Sequence, residues 1–170
     1  GTKLGVIRTK YDSDYDITGC NITDLKANGQ MGPVRNNTPK TILNFSYAPS
    51  GNKYCYVIWD PALPDAHCSS IMVGTVGGTE MDLLHGTPTA SYADDVDSPS
   101  FSPNGDKIVY GEGDDGLKVV PSIGGTPIPL GAGVAGYWPV WAPTGNHVAY
   151  YGNDDLLYVC QVSGPPHVVS

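Results

Sequence analysis

The chain has 170 residues, with 22 Gly, 15 Pro and 11 Tyr but only 15% charged side chains, a composition of many short strands and turns with no amphipathic helix of useful length. Its formal net charge of -8 argues against nucleic acid and anionic membrane as partners, because both repel an acidic surface. No run of 18 apolar residues offers a transmembrane helix, so membrane insertion is not expected.

In chain order, Lys3 to Thr9 alternates as a strand and is followed by the acidic loop Asp12-Ser13-Asp14-Tyr15-Asp16. Cys20 to Ala27 reads as a second strand, Asn28-Gly29 as a tight hairpin turn and Met31 to Arg35 as a third strand. Residues 41–86 then predict four strands, near 42–48, 53–59, 68–76 and 80–85, with Gly77-Gly78 turning the last hairpin. A third group covers 97–131, where Leu117 to Ile123 is the third strand and Gly124-Gly125 takes the place of Gly77-Gly78. The fourth covers 137–170, where Leu156 to Val162 leads through Ser163-Gly164 to a short closing strand.

These groups are copies of one unit. Tyr47-Ala48-Pro49-Ser50-Gly51-Asn52, Phe101-Ser102-Pro103-Asn104-Gly105-Asp106 and Trp141-Ala142-Pro143-Thr144-Gly145-Asn146 share one pattern, each followed by a β-rich run. The prolines lie 54 and then 40 residues apart, a spacing typical of propeller blades and other repeat arrays. Pro ends the first strand of the unit, the polar-Gly pair turns the corner, and a β-branched or aromatic run returns.

Pro99 to Gly105 and Pro139 to Gly145 resemble the TolB/PD40-type (WD40-like) β-propeller blade, whose consensus runs Pro-x-Trp-Ser-Pro-Asp-Gly-Lys-x-Ile-Ala-Phe. The copy at Tyr47 has Phe45 in place of the first Pro, and the resemblance covers residues 41–170 far better than 1–40. The expected fold is therefore an all-β propeller of about four blades of antiparallel strands, one domain over 1–170 with blades near 1–40, 41–86, 97–131 and 137–170. No aromatic-Pro-Gly motif precedes Lys3, so the first blade is expected to lack its inner strand, leaving edges that another chain or a longer parent protein would cover.

Chemistry-bearing residues are few. Propeller topology puts the loops after the second strands, with the inter-blade loop Asp94/Asp95/Asp97, on one face that gathers 13 of the 17 acids. Asp12, Asp14 and Asp16 alternate in a loop and are the candidate metal ligands, with Ca2+ as the candidate ion; the other reading is a solvated acidic loop. Cys20, Cys55, Cys68 and Cys160 have no metal-ligand spacing, and three disulfide pairings or four buried thiols are open to them. Asn21, Asn36 and Asn44 head N-x-[ST] sequons and are candidate glycosylation acceptors. The two G-x-G-x-x-G strings at 111–116 and 131–136 open no helix and read as turns, and neither a G-x-S-x-G elbow nor an H-E-x-x-H motif occurs.

The expectation is a non-enzymatic, extracellular or periplasmic propeller whose partners are copies of itself or another protein. Residues 1–53 carry seven Lys/Arg against four acids, whereas 54–170 carry two against thirteen, a split that suits head-to-tail contact. The resemblance also implies two alternatives: a protein-binding fragment of a larger TolB-like protein, or the accessory propeller of a peptidase or lyase. A Ca-dependent ligand-binding module is a third reading, resting on the acidic face.

Overall fold

The computed structural model describes residues 4–11, 13, 17–25, 28, 30–38, 40–59, 69–85, 95–113, 116–131, 134–162 and 166–169. Among these, fifteen strands form four antiparallel sheets, each made of strands consecutive in the chain. The first sheet holds β1 (Leu4–Tyr11), β2 (Ile17–Leu25) and β3 (Met31–Thr38). The second holds β4 (Thr41–Tyr47), β5 (Lys53–Trp59), β6 (Ser69–Thr75) and β7 (Glu80–His85). The third holds β8 (Val96–Phe101), β9 (Lys107–Glu112), β10 (Gly116–Pro121) and β11 (Ile128–Pro129). The fourth holds β12 (Gly136–Trp141), β13 (His147–Gly152), β14 (Leu157–Gln161) and β15 (Pro166–Val168).

The repeated motif does the same work three times. The amides of Ala48, Ser102 and Ala142 bond the carbonyls of Lys53, Lys107 and His147 at 2.8–3.0 Å, closing a tight hairpin. Gly51, Gly105 and Gly145 sit at φ of 67, 74 and 78°, a left-handed conformation in which a Cβ is strained, which is why the motif needs glycine there. The carbonyls of Asn52, Asp106 and Asn146 then accept from Val76, Ser122 and Val162 at 2.8–3.0 Å, tying each hairpin turn to the end of its third strand.

The sheets stack through their faces. Strands alternate, so Tyr54 and Tyr56 of β5 turn toward Cys20 and Ile22 of β2, while Cys55 and Val57 of the same strand turn toward Phe101, Ile108 and Tyr110 of the third sheet. One sheet later in the repeat, Val109 of β9 joins Leu117, Val119, Trp141, Val148 and Cys160 between the third and fourth sheets. Side chains buried on both faces explain the nearly continuous apolar runs of the second strands. Each large one, such as Val57 or Ile108, contributes about 1.5–3 kcal/mol by leaving water.

The inner strands β4, β8 and β12 lie side by side along the stack. β1 and β2 pack on β4 as β5 and β6 pack on β8, so β1 occupies the second-strand position. The first sheet thus begins one strand late, and β1 has no strand on its inner side among the described residues.

Candidate functional site

Each inner strand is interrupted at the same place. The ladder registers of β8 with β9 and of β12 with β13 slip between Asp97 and Ser100 and between Tyr137 and Val140, and that of β4 with β5 slips between Ile42 and Phe45. At two of these bulges a non-glycine residue takes positive φ, Ser98 at 51° and Trp138 at 53°. A bulge re-aims the side chains of a strand, and here it leaves Trp138 63% exposed on the inner wall. Its ring lies 6.5 Å from that of Tyr137 and 6.2 Å from that of Tyr151.

Beside this aromatic group is a cleft of about 280 Å³ that spans three sheets, with Leu43 and Trp59 from the second, Asp95, Asp97 and Glu112 from the third, and Tyr137 and Trp138 from the fourth. Asp97 Oδ1 accepts from Asn44 Nδ2 across the sheet boundary and from the Ser98 amide at 2.7 Å, which fixes the carboxylate at the wall. Asp95 Oδ1 accepts from Ser69 Oγ at 3.3 Å, and the Ser69 oxygen in turn accepts from the Val96 amide at 2.7 Å. Glu112 is neutralised by an ion pair with Lys118. Tyr137 and Trp138, which directly precede the proline of the repeat, were not singled out in the sequence; the aromatic pair before Pro139 is the signal that marks them.

A second feature is the outer face of the fourth sheet. Position by position, Ala149 and Tyr151 of β13 correspond to Cys55 and Val57 of β5, both fully buried against the next sheet. In the fourth sheet no further sheet follows among the described residues. Tyr137, Tyr151 and Leu157 align in register across β12, β13 and β14 and are 52%, 38% and 46% exposed. Val140, Ala149 and Val159 form the adjacent row, with Val140 exposed as well.

The sequence-stated sites fare differently. Asp12, Asp14 and Asp16 lie outside the described residues, as do Cys68 and the acids Asp60, Asp65, Asp94, Asp114 and Asp115. Among the described residues no group of three or more His, Cys, Asp or Glu could hold a metal. Cys20, Cys55 and Cys160 are buried thiols in three separate apolar clusters, which rules out the Cys20–Cys160 bridge and any other pairing among these three. Their burial between sheets is the physical reason, and it pushes the Cys55 thiol strongly up. Asn21 is 7% exposed on β2, so a glycan has no room there. Asn44 is half-buried and spends its amide on Asp97, and Asn36 lies within β3. The recurring aromatics Phe101, Trp141, Tyr56, Tyr110 and Tyr150 are buried between sheets.

One constellation imitates a hydrolase. Ser70 Oγ meets His85 Nδ1 at 2.7 Å and Asp82 approaches the same nitrogen at 3.4 Å. A catalytic relay needs the acid and the nucleophile on opposite ring nitrogens, and here both converge on one, so this is a cross-strand contact of β6 and β7.

No family model matches the chain, and no curated protein matches it by sequence. Solved structures do match. A protein named as a TolB from Agrobacterium tumefaciens superimposes with a TM-score of 0.61 at 18% identity, over 93% of this chain and 62% of that one. The fold is that of a β-propeller. The β-propeller domain of the Trilobed protease from Pyrococcus furiosus, described as having an open velcro topology, gives 0.60 at 11% identity over 100% and 54%. A puromycin hydrolase mutant complexed with PGG gives 0.72 at 16% identity over 99% and 29%. The chain spans less than two thirds of each of these propeller proteins. One is named as a hydrolase, and the shared fold by itself assigns no chemistry.

Proposed function

We propose that this chain is a non-enzymatic interaction propeller, acting outside the cytoplasm, that associates head to tail with copies of itself through the outer face of its fourth sheet. The observation that carries the reading is the register-aligned apolar row Tyr137, Tyr151 and Leu157 at the position where earlier sheets bury Val57 and its neighbours. A face built for sheet-on-sheet packing is most simply covered by another propeller sheet. The excess of Lys/Arg in residues 1–53 and of acids in 54–170 favours the first sheet of a second copy as that cover.

Light scattering on the purified chain tests this. The wild type is expected at a multiple of 17.9 kDa, and the double variant Tyr151→Asp, Leu157→Asp at 17.9 kDa with its circular dichroism unchanged. A wild type that stays at 17.9 kDa at every concentration overturns self-association. It would favour the second reading, a piece of a longer TolB-like protein whose next blade covers the same face, a reading supported by the greater length of the matching structures. Repeating the measurement in chelator tests calcium at Asp12, Asp14 and Asp16: collapse of the assembly assigns the ion a role, and an unchanged mass removes it.

A further inference from the structure

We infer that the inner-wall cleft bounded by Trp138, Tyr137, Trp59, Asp95 and Asp97 is a binding site for an organic cation, a guanidinium or alkylammonium group. The cleft shares Tyr137 with the outer row of the fourth sheet, while Trp59, Asp95 and Asp97 belong to the second and third sheets.

Three observations converge on a cation. The walls are aromatic, and the faces of indole and phenol rings attract positive charge through their quadrupoles. Three carboxylates, Asp95, Asp97 and Glu112, line the cleft beside the hydroxyls of Ser69 and Ser98, and a carboxylate only accepts hydrogen bonds. Asp97 receives both of its bonds, from Asn44 and from Ser98, on Oδ1, which leaves the lone pairs of Oδ2 for a ligand. Asp95 likewise takes its bond from Ser69 on Oδ1. Glu112 is already neutralised by Lys118, so the charge presented to the cleft is that of the two aspartates. The hydroxyl of Ser69 is spent, donating to Asp95, whereas that of Ser98 is buried without a hydrogen-bond partner among the described residues. A planar guanidinium can stack on one ring while bonding a carboxylate, and an alkylammonium can do the same as a point charge.

The conformation of Trp138 adds weight. A left-handed residue with a bulky side chain is costly, by about 1–3 kcal/mol, and such a cost persists where the surroundings hold it in place. The bulge it belongs to is what puts its ring on the channel wall rather than between sheets.

The test is isothermal titration of the full chain with N-acetyl-arginine methylamide, with its neutral isostere N-acetyl-citrulline methylamide, and with spermidine. Saturable binding of the arginine amide or spermidine, at least about tenfold tighter than the citrulline amide (~1.4 kcal/mol), supports the site. Tighter arginine amide assigns a protein side chain as the source, and tighter spermidine assigns a free amine. Asp97→Asn keeps an oxygen for Asn44 and Ser98 while removing the charge, and is expected to weaken binding about tenfold. Trp138→Gly suits the backbone at φ 53°, so it removes the ring without harming the fold, and is expected to abolish binding. Equal binding of the charged and neutral amides, no saturable binding by either cation, or wild-type affinity in Trp138→Gly with an intact thermal transition each overturn the inference.

Discussion

At the scale of single residues, the hydroxyl of Tyr110 is the most informative. It is fully buried between the second and third sheets, and among the described residues it finds no hydrogen-bond partner. A desolvated, unbonded hydroxyl is a cost, so Tyr110→Phe is expected to raise the unfolding free energy by about 1 kcal/mol in urea titration. A loss of stability instead would reveal a partner for that oxygen. Titration of the buried acids acts in the same region. Burial, with lesser repulsion from Cys160, Tyr158 and Asp154, pushes the Tyr150 hydroxyl up to about 12, and burial also raises the Tyr110 hydroxyl and the Cys55 thiol. Above the ordinary thiol and phenol values, near 8.5 and 10, the unfolded chain releases protons that the folded chain keeps. Stability is therefore whole below about pH 8.5 and falls as pH rises toward about 12, which urea midpoints across that range would register. A midpoint unchanged up to about pH 11 would refute the assignment. In the acid range the exposed carboxyl of Asp154 is shifted the other way, held below its usual range mainly by the hydrogen bond from Tyr158 at 2.7 Å.

At the scale of elements, two kinds of glycine carry the repeat. Gly105 and Gly145 are chosen for conformation: a Cβ there meets nothing closer than 3.6 Å, but φ is 74 and 78°. Gly105→Ala is expected to cost about 1 kcal/mol, read as a shift in thermal midpoint with the fold retained. Gly136 is chosen for space, since a Cβ would stand 2.1 Å from the carbonyl of Tyr151 on the paired strand. There the backbones of β12 and β13 must part, and Gly136→Ala is expected to cost at least about 3 kcal/mol and to disturb the adjoining cleft. If both alanine variants lose the same stability, the distinction is wrong. The turn glycines were legible in the sequence because they recur with proline and asparagine or aspartate. Gly136 was not, because the close approach that demands it is made by a strand 15 residues away.

At the scale of the whole molecule, the sheets form a series in which each packs on its neighbours and no strand from one end of the chain enters a sheet at the other, among the described residues. Stability in such a stack is the sum of sheet terms and interface terms, so the ends are weaker than the middle. β1, which has no inner neighbour among the described residues, is expected to exchange its amide hydrogens faster than β9, which has β8 and β10 on either side. Protection of β1 equal to that of β9 in the isolated chain would mean that a further contact covers its edge. The exposed row on the fourth sheet belongs to this scale too, since Tyr151 is an ordinary core position in the repeat and becomes surface only because of where the stack stops among the described residues.

Fold class and repeat were determined locally. Alternation of apolar residues sets strands, Pro-polar-Gly sets the turns, and both act over a few residues, so the sheet boundaries at 41–85 and 96–129 follow closely from the pattern. The candidate site was decided only in three dimensions. Asp97 reads as one acid of a loop until β8 places it against Asn44, and Trp138 joins it only because the bulge turns its ring to the inner wall. Burial likewise overruled the sequon at Asn21 and the pairing of Cys20 with Cys160, because whether a side chain faces a neighbouring sheet depends on residues far along the chain. Hydrogen-bonding preference and turn chemistry are properties of short segments, whereas packing between sheets is a property of their assembly, and the chemistry of this protein resides in the second.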